Sequence, residues 1–173
     1  MVKPLSQLIR SCVLWSVSAV ATALLSAAAF ADTQPHVAVS TFNKWCFKAG
    51  QTESQARANM DANDAAFTLT FWDDSLAPRP ADAPEGIERR CMIAFDGNHT
   101  RDATEALHKK MATPPVFGTA IPLPETHAVT DTTTYIEGRE LLKRRVAVVH
   151  IGRNNGRTFM AVDRLYAGLG LPD

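Results

Sequence analysis

Two cysteines, Cys46 and Cys91, constrain this chain more than any other feature of its 173 residues. The third, Cys12, lies in an N-terminal stretch with a basic start (Lys3, Arg10), an apolar run over residues 12–25 (CVLWSVSAVATALL) and small residues ending in AAAFA before Asp32. The run falls short of the ~20 apolar residues of a lasting membrane anchor, and an A-x-A exit follows it. These features describe a secretory signal peptide, residues 1–31, cleaved after Ala31. Cys12 opens the apolar run instead of following it, so it is not placed as a lipidation site. Residues 32–173 are then one domain of ordinary size, periplasmic or secreted, with no stable membrane insertion after cleavage.

In such a compartment an even pair of cysteines reads as a disulfide. Cys46 sits in TFNKWCFKAG, where Phe42, Trp45, Cys46 and Ala49 recur at helical spacing and put the thiol on the buried side. Cys91 opens CMIAF, a short apolar run of strand character. A bond between them pins a helix to a sheet and, in the chain-entropy model, is worth roughly 4 kcal/mol, against the ~5–15 kcal/mol that holds a domain together. The rivals fit less well. A redox pair favours C-x-x-C, structural zinc needs more Cys or His at short spacing, and an apolar setting disarms a Cys–His nucleophile.

Charge narrows the partners. The chain has 18 basic and 18 acidic residues, and loss of Lys3 and Arg10 leaves two more acids than bases. That balance lacks the basic face with which nucleic-acid binders displace counterions, so no nucleic-acid partner is expected. The local cluster GRELLKRR (residues 138–145) reads as a solvated approach to a strand; the other reading is a patch for an anionic ligand or a membrane surface.

Along the chain, Ser40 is the expected cap of a first helix that Gly50 ends. Thr52 with Gln55 has capping-box spacing for a second helix. Phe67, Leu69 and Phe71 alternate with Thr68, Thr70 and Trp72 as in a strand with one buried face. The proline-rich residues 73–88 form a long surface loop. RRCMIAF is a strand that stops at Asp96-Gly97, and Thr100 or Asp102 then caps a helix that Pro114-Pro115 end. Residues 116–131 read as a second long loop stiffened by Pro122 and Pro124. Three strands follow. RVAVVHIG is a central one buried on both sides, joined to RTFMAVDRL by Asn155-Gly156, a strong hairpin signal. The tail from Tyr166 reads as loose. This order predicts a single α+β domain, a mostly antiparallel sheet of about five strands with about three helices on one face.

No nucleophile elbow, Walker loop, dinucleotide turn or H-E-x-x-H helix is present, and no cofactor is implied. Three places can carry chemistry. Asp96, His99 and Asp102 bunch at a strand end; Glu125, His127 and Asp131 share the second loop; His150 follows a buried run. The leading expectation is a non-enzymatic binding domain that meets a protein or a cell-envelope component through its two long loops. The alternative is a hydrolase or metal-assisted enzyme using His127 with Glu125 or Asp131, with His99 nearby.

Overall fold

Helix α1, Val37–Trp45, begins where its apolar stripe begins: Ala38, Val39 and Phe42 are buried, and Cys46 continues the stripe just past the end. That stripe reaches further back than Ser40, so the cap is His36, whose Nδ1 accepts from the Ala38 amide at 3.1 Å. Ser40 lies inside the helix and donates to the Val37 carbonyl. The computed structural model describes residues 35–61, 66–113 and 117–171, all within the unit Thr33–Asp173. The expected signal segment, 1–31, lies outside the described residues, as do Pro114 and Pro115.

Helix α2, Glu53–Asp61, carries the expected capping box. Gln55 Oε1 accepts from the Thr52 amide at 3.0 Å, and Thr52 Oγ1 accepts from the Gln55 amide at 3.4 Å. Helix α3, Thr100–Met111, buries Ala103, Leu107 and Met111. Its cap is His99, which makes no side-chain capping bond, so neither Thr100 nor Asp102 holds that place. None of these helices is long and apolar enough to cross a membrane.

The strands are β1 (Thr68–Asp73), β2 (Ile87–Asp96), β3 (Phe117–Ile121), β4 (Thr133–Leu141), β5 (Arg145–Asn154) and β6 (Arg157–Leu165). They form one antiparallel sheet in the order β1-β2-β6-β5-β4-β3. The protein is therefore α+β, with six strands among the described residues where about five were expected. The additional one is β3, inside the span read as a second long loop. It is an edge strand pairing only with β4, and its burial shows no alternation. Without one buried face it leaves no period-two signal in the sequence. Asn155 and Gly156, both at positive φ, make the expected β5–β6 turn.

Alternation assigns the two faces of the sheet. Phe71, Cys91, Ile93, Phe95, Ala147, Val149, Ile151, Met160 and Val162 share one core with the buried residues of all three helices. Cys46 and Cys91 are at bonding distance within it, Sγ–Sγ 1.98 Å and Cα–Cα 5.4 Å. Among the described residues the opposite face carries no helix. A strap, residues 122–132, crosses it instead, with Pro124 gathered with Val146 and Leu165 around Gly170 at one end and the Thr132 carbonyl over Gly152 at the other. A Cβ on Gly152 would lie 2.0 Å from that oxygen, so only glycine lets the strap pass. The tail is tied down: the Tyr166 amide donates to the Gly86 carbonyl, its hydroxyl donates to Asp74, and Leu171 packs on a small cluster with Trp72, Ile87, Val146 and Leu165.

Candidate functional site

Two constellations bring functional side chains together, one on each face of the sheet. On the strapped face the pairing register puts Arg90 of β2 and Val148 of β5 on either side of Asp163 of β6. The Asp163 side chain is fully buried. Arg90 donates to it from Nε at 2.8 Å and from Nη2 at 2.5 Å. His127, from the strap, places Nε2 2.9 Å from Asp163 Oδ2, and its Nδ1 is 2.9 Å from Thr126 Oγ1. Burial works to raise the Asp163 carboxyl, but the hydrogen bonds from Arg90 and His127 override it and hold the group below the usual carboxylate range.

His150 completes this cluster without joining it. Its Nε2 is 3.8 Å from Asp163 Oδ2, too far for a hydrogen bond, and has no other partner. Desolvation pushes the imidazole down to about 4, with the nearby Asp163 raising it and His127 and Arg90 lowering it further. It is neutral at physiological pH, a largely buried histidine whose Nε2 has no hydrogen-bond partner among the described residues.

The structure therefore gives His127 the partner Asp163, not Glu125 or Asp131. Those two are exposed, and neither has a hydrogen bond or ion pair with His127. His99 is on the far side of the sheet, stacked with Phe95 and tilted against His36 at the core edge. Asp96 pairs with Arg157 and Asp102 with Arg101, both apart from His127. Among the described residues no three His, Cys, Asp or Glu side chains are grouped to hold a metal ion. Chemically the strapped-face cluster is a latch. Both His127 nitrogens are engaged and its side chain is 6% exposed, which leaves no nitrogen facing a substrate.

The second constellation lies on the helix-bearing face, beyond the end of the helical layer. A cleft of about 650 Å³ opens there between the segment after α1, strand β3, the β4–β5 hairpin and the end of β6. Its floor and walls include Phe47, Phe117, Leu141, Ala147 and Val162; its edge carries Arg89, Lys143, Arg145 and Arg164. The volume falls within the ~300–1,000 Å³ of small-molecule sites, which combine an apolar lining with a few placed polar groups.

A bulge builds the charged edge. The register of β2 against β6 shifts between Ile87 and Arg89, and the extra residue is Glu88. Glu88 Oε2 accepts from Arg145 Nη2 at 2.6 Å and from Arg164 Nε at 2.8 Å. Arg164 also donates to Asp73 Oδ1 at 2.9 Å. Arg89 stands 3.4 Å from the other Asp73 oxygen and donates to the carbonyls of Cys46 at 2.8 Å and Lys48 at 3.0 Å. Desolvation lowers the Arg89 guanidinium to about 10, Asp73 raising and Arg164 lowering it, so it is still a cation at neutral pH. Four cations thus face two carboxylates.

Sequence reasoning reached part of this cleft through GRELLKRR, whose Lys143 and Arg145 line it, and missed Arg89, Arg164, Glu88 and Asp73. A signal existed: IERRC and VDRL place charges inside strands whose neighbours are buried. Comparison with protein-family models, with curated proteins and with solved structures finds no match for this chain.

Proposed function

We propose that this chain is an exported, non-catalytic binding module of the periplasm or the extracellular space, and that it takes a cell-envelope component in the cleft beside the β4–β5 hairpin. One observation carries the reading: an apolar cleft of ligand size edged by more cations than its own carboxylates neutralise. The disulfide suits the proposed compartment. The expectation of contact through two long loops narrows accordingly, because part of the second loop is strand β3, and its residue Phe117 belongs to the cleft wall.

The test is native mass spectrometry of the protein purified from full-length expression and mixed with a detergent extract of cell envelopes. A bound mass on the native protein, absent from Ala167→Trp, supports the reading. Ala167 is exposed and lines the cleft, so the indole blocks the cleft without touching the core. No adduct on either protein contradicts it.

A second reading, a hydrolase, rests on the His127–Asp163 contact. It requires the strap to lift so that an imidazole nitrogen meets substrate. His127→Gln would then remove turnover on an envelope substrate while leaving the melting temperature unchanged; a fall in melting temperature instead marks the latch.

A further inference from the structure

Of the four cations on the cleft, two are largely committed to the fold. Arg89 gives both terminal nitrogens to main-chain carbonyls, and Arg164 gives Nε and Nη2 to Glu88 and Asp73. The other two are different. Among the described residues Arg145 uses only Nη2, its side chain being 29% exposed, and Lys143 is exposed and has no acidic partner. Both lie at the β4–β5 hairpin. The more exposed of the uncommitted donors are therefore gathered at one end of the cleft, while Arg89, whose unpartnered Nε is buried, and Arg164, bonded to both carboxylates, add mainly field.

That hairpin holds Lys143 and Arg144 at φ of 63° and 53°, the left-handed region that favours glycine. Strained side-chain-bearing residues gather at ligand clamps. Here one of the two, Lys143, is itself a cleft residue. Away from the hairpin, Arg89 and Arg164 apart, the cleft is apolar. Phe47 and Phe117 meet edge to face at 5.3 Å to form a wall, and Ala147 and Val162 of the core form the floor.

We infer that the cleft binds a single-chain amphiphile with an anionic head, the head on Arg145 and Lys143 and the chain along Phe47, Phe117 and the Ala147–Val162 floor. The inference rests on the binding reading above and names its ligand class. A free phosphate or acetate would satisfy the donors and leave the apolar floor wet; a neutral amphiphile would cover the floor and leave the cations unmatched. Only a ligand with both parts answers both ends. Carboxylate and phosphate heads share this chemistry.

The experiment is calorimetric titration of the purified protein with dodecanoate, dodecyl phosphate, dodecyl maltoside, acetate and inorganic phosphate, all below micelle formation. Binding of dodecanoate or dodecyl phosphate at least about tenfold tighter than of the maltoside, with acetate and phosphate silent, supports the inference; which of the two binds better identifies the head. Arg145→Gln should weaken the charged probes by about tenfold and leave the maltoside unchanged, since a charge-assisted bond lost at the head affects the charged probes alone. Ala167→Trp should weaken all three chains, with an unchanged far-ultraviolet spectrum certifying its fold. Equal binding of maltoside and dodecanoate, or binding unaffected by both variants, overturns the inference. An envelope adduct that dodecanoate does not displace would do the same while leaving the binding reading intact.

Discussion

Arg145 donates from Nη2 to Glu88 Oε2 at 2.6 Å, and Glu88 reaches it because β2 carries one extra residue at that point. Two strands that do not pair, β2 and β5, are thereby joined across β6, whose Arg164 shares the same oxygen. The arrangement fixes a cation at the mouth of an apolar cleft and neutralises it only in part.

Glu88→Gln removes the carboxylate common to Arg145 and Arg164. Breaking a mostly buried pair leaves charge uncompensated, so stability should fall by about 2–3 kcal/mol in chemical denaturation. Binding of dodecanoate should strengthen at the same time, because Arg145 is released. A variant that is as stable as the native protein, or binds more weakly, contradicts the charge assignment.

Lys143→Gly should separate stability from binding in the other sense. Glycine adopts φ of 63° without strain, so the melting temperature should rise, by the equivalent of up to about 1 kcal/mol. Affinity for the anionic chain should fall. If both decline together, the strained turn is not where head-group binding is organised.

The disulfide should account for a large share of stability. Its sequence separation of 45 corresponds to about 4 kcal/mol, and denaturation with and without reductant measures the difference. Intact mass before and after reduction and alkylation checks the bond itself. It checks the proposed start at Asp32 as well. Thiols that alkylate without reduction would show the bond absent.

Acid should weaken the fold through His150. Its folded value, about 4, lies below its ordinary 6.5, so between those values the unfolded chain takes up a proton that the folded one refuses. Stability then falls as pH drops from about 6.5 to about 4, by about 3 kcal/mol at ~1.4 kcal/mol per pH unit. His36, also lowered by burial and by His99, acts in the same direction. Asp163, held low by Arg90 and His127, adds stability that is present above the unfolded carboxylate value and lost as pH falls through its own lower one. His150→Phe should flatten the slope between pH 6.5 and 4; an unchanged slope would assign it to other groups.

Features carried by neighbours in sequence were legible in advance. Thr52 and Gln55 make their capping box, Asn155-Gly156 makes its turn, and the spacing around Cys46 with the apolar run at Cys91 places both in one core. Features that depend on strand register were not. Asp163 meets Arg90 and His127 only because β6 lies between β2 and β5 with the strap folded above it. Glu88 turns toward Arg145 only because of a bulge, and a bulge has no fixed sequence mark. Local carboxylates drew Glu125 and Asp131 into the expectation for His127, yet the partner stands 36 residues away. The cap at His36 was missed for a different reason, since histidine is not a favoured capping residue.

The most direct measurement is a map of amide chemical shifts during titration with dodecanoate. The account predicts shifts confined to Phe47, Phe117, residues 141–147, Val162 and Ala167, which surround the cleft. Unchanged spectra, or shifts centred on His127 and Asp163 across the sheet, would contradict it.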